Sequence, residues 1–131
     1  MVEEVRKFIE KVILKFSEEL RRGDAVAVAA LFTDDAILLP PNSEMIRGRQ
    51  GIEKFWGAVF QGGMKDITAT IMESSGSGDA IHGVGNFASE ISQKGQKPVE
   101  VKGKYITILK HTASGWKVHG HIWNYDKPPQ E

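Results

Sequence analysis

The hydrophobic repeat of the chain changes character at Gly62-Gly63, and this constrains the fold more than any other feature. Before that point, apolar residues recur at steps of three and four. Val2, Val5, Phe8, Ile9, Val12, Ile13, Phe16 and Leu20 form one stripe of a long helix. Glu3–Lys7 and Glu18–Arg22 are spaced as ion pairs on its solvated face. Gly23 ends the helix, and Asp24 is placed to cap a second, short one in "AVAVAALF". "DDAILLPP" (34–41) reads as a short strand stopped by its prolines, and "NSEMIRG" as a loop. A third helix follows in "RQGIEKFWGAVF", with Ile52, Phe55, Trp56, Val59 and Phe60 at helical spacing.

After Gly63 the pattern is that of strands. "MKDITATIMES", "AIHGVGNFASEIS", "VEVKGKYITILKH" and "GWKVHGHIWNYD" are rich in β-branched and aromatic residues. The turn-formers "SGSGD", "QKGQKP" and "TASG" separate them. Short turns between consecutive strands imply an antiparallel meander, and the tail "KPPQE" is expected to fray. Helices first and strands afterwards give an α+β class, with three N-terminal helices packed on one face of a curved antiparallel sheet. The last two strands alternate two apolar sets: Ile106 and Ile108 against Tyr105, Thr107 and Leu109, then Val118 and Ile122 against His119, His121 and Trp123. A sheet apolar on both faces needs two covers, so a homodimer through the outer sheet face is expected.

The 131 residues suit one domain spanning 1–131. Acidic and basic residues balance at 17 each, without a basic stripe, which argues against nucleic acid. With no cysteine, disulfides, thiol catalysis and thiolate metal sites are excluded, in keeping with a cytoplasmic protein. "MVEEVRKFIEKVILKF" is charged throughout, so it reads as neither a signal peptide nor a membrane span.

The layout, with "GDAVAVAALFTDDAILLPP", "IRGRQGIEKFW" and "GWKVHGHIWNYD", resembles the nuclear transport factor 2 (NTF2)-like superfamily over nearly the whole chain. Within it the chain is most similar to SnoaL-like and DUF4440-type domains, a group often called ketosteroid isomerase-like. The resemblance implies a cystatin/NTF2-like cone: a curved sheet wrapped around a long helix, with a pocket at the open end, in dimers. The superfamily hosts isomerases, hydrolases, dehydratases, cyclases and non-catalytic assembly domains, so chemistry has to be argued at the site.

Steroid isomerases of this fold use an Asp base, paired with an oxyanion hole built from a Tyr and a protonated Asp. Here the base position falls on Pro40 and the tyrosine position on Phe16, and no Asp or Glu lies between Val101 and Tyr125. SnoaL-type cyclases also need an acid/base Asp on the late strands, and limonene-epoxide-hydrolase-like enzymes an Asp-Arg-Asp set. Neither set is available there.

Histidine remains, titrating near neutrality. The resemblance places His119, His121 and Trp123 on the concave face, His121 being the candidate catalytic acid/base. Trp56, Phe60, Phe87, Tyr105, His119 and Trp123 are the candidate ligand-binding wall, suited to a hydrophobic or aromatic small molecule. Trp56 and Phe60, one helical turn apart, also read simply as core. Asp34 and Asp35 read as turn caps or backbone acceptors, one of which could orient a histidine. Glu90 is the nearest long-strand carboxylate, with its facing open. His119-x-His121 lacks a third metal ligand, and neither metal nor cofactor is expected. Gly83 and Gly85 in "HGVGNF" read as a site of sheet bending rather than a phosphate loop.

Two functions follow as expectations. One is a small-molecule-binding homodimer, an isomerase- or lyase-type proton-transfer enzyme if it is catalytic. The other is a non-catalytic association domain resembling that of calmodulin-dependent kinase II. Such pockets carry arginines, whereas Arg47 and Arg49 fall in a loop and a helix start.

Overall fold

The computed structural model describes residues 2–128. The side chain of Val2, the Glu3–Lys7 pair and the tail residues 129–131 lie outside what it describes. The elements run α1 (Val2–Arg22), α2 (Ala25–Ala29), β1 (Phe32–Leu39), β2 (Ile46–Arg47), α3 (Arg49–Gln61), β3 (Met64–Ser77), β4 (Ala80–Ile91), β5 (Val99–Thr112) and β6 (Gly115–Tyr125). Among the described residues three helices precede the long strands, and the six strands join one curved sheet in the order β2-β1-β6-β5-β4-β3.

The helix signals act as their chemistry requires. Gly23 takes a positive φ of 68° after α1. The Asp24 carboxylate then accepts from the Ala27 amide at 3.0 Å, satisfying a donor that α2 leaves unpaired. Ile9 and Leu20 of the α1 stripe are fully buried against the sheet, while Phe8 stays exposed at its edge. The expected Glu18–Arg22 pair is not the one formed. Arg22 instead reaches Glu19 at 3.6 Å, and Lys15 holds the same carboxylate at 3.3 Å. Glu19 is nearly buried, so two cations compensate a carboxylate shielded from water.

The strands depart from the expected meander in three ways. β1 pairs with β6 in parallel, through Leu38↔His121 and Leu39↔Ile122. The stretch expected as a loop contains β2, which pairs with β1 at Ile37↔Arg47. β3 runs on through most of "SGSGD", so that Ser77 pairs with Ala80 across a turn of Gly78 and Asp79. The other neighbouring pairs are antiparallel, and β3–β4, β4–β5 and β5–β6 are long hairpins.

Two glycines let the concave face close around large rings. A Cβ on Gly85 would run into the Thr70 carbonyl and lie 2.8 Å from the Tyr105 hydroxyl. One on Gly103 would strike the Asn124 carbonyl and come within 2.6 Å of the Phe87 ring. Glycine is therefore required by the approach of neighbouring atoms, and Tyr105 and Phe87 occupy the space it leaves. Gly83 has a related role, since its Cβ would sit 3.2 Å from Ile9 of α1.

Candidate functional site

The site lies inside the concave face, between α1, α3 and strands β3 to β6. Alternation brings Phe87 and Ser89 of β4, Tyr105, Thr107 and Leu109 of β5, and His121 and Trp123 of β6 to this side. α1 contributes Phe16, and α3 contributes Phe55 and Trp56.

Register between β5 and β6 is broken once. Ile108 pairs with Gly120 but Leu109 with Val118, which leaves His119 as an extra residue. This is a β-bulge, and it inverts the facing of everything before it relative to everything after. Val118 and His121 consequently line the same cavity although they are three residues apart. The expected shared face of His119, His121 and Trp123 therefore has to be corrected: His121 and Trp123 remain together, and His119 turns away. Val118 is likewise core rather than part of the outer set. His119 Nδ1 instead meets the Thr33 hydroxyl at 2.9 Å and lies 3.7 Å from the Asp35 carboxylate.

The other carboxylates also have different tasks from those expected. Asp34 pairs with Arg49 at 2.7 Å rather than capping a turn, and Arg49 also donates to the Phe32 carbonyl at 2.6 Å. The facing of Glu90, open from the sequence, is outward: it pairs across the sheet with Glu100 while its neighbour Ser89 points inward.

His121 is the hub of the ring cluster. Its centroid lies 5.3 Å from Trp123, 5.8 Å from Tyr105 and 6.3 Å from Phe16. Trp123 stacks on Trp56 at 5.8 Å with planes 16° apart. Phe16 meets Trp56 edge-on at 5.3 Å, and Phe55 meets both tryptophans in the same way. These geometries favour aromatic pairs beyond simple burial. Phe60 packs on Trp56 at 6.4 Å and is not among the cavity-lining side chains; Phe55 takes that place.

Two cavities flank His121. One, of about 50 Å³, lies under α1 against Tyr105, Thr107, Leu109 and Val118. The other, of about 60 Å³, lies toward α3 against Trp56, Trp123 and Tyr125. Phe16, Ile67, Phe87 and His121 border both. No side chain lining either cavity is a carboxylate, lysine or arginine.

Burial pushes the His121 imidazole down to about 4, although part of its ring surface faces the cavities. Burial also raises the Tyr105 phenol to about 12. Both are neutral at pH 7, so the box carries no charge. Its polar side chains are the imidazole, the Thr107 hydroxyl, the Tyr105 hydroxyl donating to the Thr70 carbonyl at 3.3 Å, the Ser89 hydroxyl donating to the Asp66 carbonyl at 2.9 Å, and the phenol of Tyr125. The Trp56 indole nitrogen is buried with no hydrogen-bond partner. Among the described residues, no three histidine or carboxylate groups gather to hold a metal ion.

Sequence reasoning passed over Phe16, Phe55 and Ile67 as site residues. Phe16 carried a signal, since it falls where related isomerases place a tyrosine. Phe55 and Phe60, five residues apart, stand about 140° apart around α3 on either side of Trp56, and the apolar pattern fits either inward.

Comparison with known proteins agrees with this architecture. The model of the SnoaL-like domain matches residues 13–121. None of the functionally curated proteins matches the chain. A ketosteroid isomerase-like protein from Erwinia carotovora atroseptica superposes with a TM-score of 0.83 at 21% identity, covering 98% of this chain and 100% of that one. An NTF2-like protein with a cystatin-like fold from Novosphingobium aromaticivorans gives 0.80 at 16% identity, covering 96% and 84%. A Xanthomonas campestris protein proposed to be a calcium/calmodulin dependent protein kinase II association domain gives 0.77 at 20% identity, covering 89% and 84%. At such identities the solved structures establish the fold: an NTF2-like, cystatin-like α+β cone. The family match spans most of the sequence, and the chain belongs to the SnoaL-like domain family.

Proposed function

We propose that the protein binds a small apolar, ring-containing molecule against His121, Trp123, Tyr105 and Phe87, with residues 1–131 acting as one domain. The observation that carries this reading is an imidazole enclosed by aromatic rings, with space on either side of it. A neutral imidazole supplies one donor and one acceptor at little cost in an apolar box. Orientation by a few polar groups in an apolar enclosure is how small-molecule sites work.

The same chemistry favours binding over catalysis. A general base works best with its pKa near the working pH. His121, held at about 4, is a weak base at pH 7, and no carboxylate lines the cavities to raise it. An isomerase- or lyase-type proton transfer would need the bound ligand to do so.

A thermal-shift screen of aromatic, terpenoid and carboxylate compounds tests the reading on wild type, His121→Ala and Trp123→Ala. A ligand at ~100 times its Kd stabilises by about 2.7 kcal/mol. A hit abolished in both variants supports the site. Hits indifferent to both substitutions remove it.

The second reading, a non-catalytic association domain, draws on the outer sheet face. Ile106, Ile108 and Ile122 are 44%, 41% and 39% exposed there, beside Ile37, Leu39 and Val84. That patch suits a homodimer, and it is compatible with either reading. No described helix is long and apolar enough to cross a membrane; a cytoplasmic location belongs to the same proposal.

A further inference from the structure

Neither cavity beside His121 approaches the roughly 300–1,000 Å³ of an ordinary ligand pocket. A third space does. A basin of about 540 Å³ lies at the lip of the concave face, between the β4–β5 connection and the end of β6. Ile91, Val101 and Tyr125 line both this basin and the inner cavity that Trp56, Trp123 and His121 enclose. The two spaces thus share a wall at these three residues, with the Tyr125 ring set edge-on to Phe87 at 6.2 Å.

Charge in the basin is uneven. Glu100 is paired with Lys102 at 3.6 Å, and Asp126 with Lys104 at 3.3 Å. Lys97 and Lys127 also line the basin, and among the described residues no carboxylate lies within ion-pair reach of either. Apolar surface is exposed in the same basin, beside Gln93 and Gln96: Val99 is 45% exposed and Tyr125 36%. Exposed apolar surface in one basin with two unpaired lysines is complementary to a molecule with a flat apolar body and an anionic end. The connection that carries Lys97 is tied down at its start, where Gln93 Nε2 donates to the Gly62 carbonyl at 3.2 Å and the Ser92 amide to the Gly63 carbonyl at 2.8 Å.

We propose that the ligand is an anionic amphiphile, an aryl or polycyclic carboxylate in class, whose body lies on Val99, Val101 and Tyr125 with its leading edge toward Trp123. Its carboxylate sits between Lys97 and Lys127. This rests on the ligand-binding reading above and names the chemistry of its mouth.

The test is calorimetric titration with 2-naphthoate and its neutral counterpart 2-naphthalenemethanol. The proteins are wild type, Lys97→Gln/Lys127→Gln, Lys97→Arg/Lys127→Arg and Trp123→Ala. Wild type should bind the carboxylate roughly tenfold more tightly than the alcohol, the scale of two solvent-exposed ion pairs. That advantage should shrink with added salt, vanish in the glutamine variant and survive in the arginine one. Equal affinity for both probes in wild type, an undiminished advantage in the glutamine variant, or no saturable binding of either probe overturns the proposal. If the alcohol binds as well as the acid and Trp123→Ala abolishes both, the anionic ligand fails while the aromatic site stands.

Discussion

Val118 and His121 line one cavity from positions three apart on the same strand, which a regular strand forbids. The bulge at His119 makes it possible, and the Thr33 hydroxyl holds the extra residue at 2.9 Å. Thr33→Val should therefore cost about 1 kcal/mol, the value of a partly buried hydrogen bond. Thr33→Ser should restore most of it. Urea unfolding of the three proteins measures this, and equal midpoints would mean that the bond does not support the bulge.

The buried imidazole makes stability depend on pH. His121 takes up its proton near 6.5 in the unfolded chain but near about 4 in the folded one. Between those values the unfolded state holds more protons, so the stability fully present above pH 6.5 falls as pH drops toward 4 and then levels off. One such site contributes ~2–3 kcal/mol across that window. His121→Phe should flatten that part of the profile. Unfolding free energies at pH 7, 6 and 5 decide it; parallel profiles in the two proteins would count against a buried neutral imidazole.

Gly85→Ala and Gly103→Ala should each destabilise by roughly 1–3 kcal/mol, because the new methyl meets backbone that cannot move aside. Gly95→Ala, at a turn with open space around it and a φ of 81°, should cost less, through backbone strain alone. Thermal unfolding ranks the three, and a Gly95 variant weaker than the other two would contradict the account.

The outer face is tested by Ile106→Asp. Sedimentation velocity of wild type should show a dimer, and that of the variant a monomer with an unchanged far-ultraviolet circular dichroism spectrum. A monomeric wild type at tens of micromolar would remove the interface.

Periodicity alone made the helix stripe, the Asp24 cap and the four long strands legible, because each depends on neighbours within a few residues. Three features escaped it for a common physical reason. The parallel pairing of β1 with β6 joins residues some eighty apart and leaves no local pattern. The bulge at His119 is a hydrogen-bond slip between strands, so "VHGHIW" reads as unbroken alternation. The partner of Asp34 is Arg49, fifteen residues on, and not a nearby amide. His121, Trp123 and Tyr105 do converge as their strand positions imply, and Phe87 joins them from a strand whose facing the sequence leaves open, whereas His119 and Phe60 do not line the cavities.

The central claim is that ligand enters the ring cluster around His121. The three tryptophan indole N–H resonances report it directly. Trp56 and Trp123 stack in the site, while Trp116 packs on Phe8 and His111, seven residues and roughly 20 Å along β6 from Trp123. Titration of ¹⁵N-labelled protein with 2-naphthoate should shift the Trp56 and Trp123 signals saturably and leave Trp116 in place. Movement of Trp116 alone, or equal drift of all three without saturation, would contradict the account.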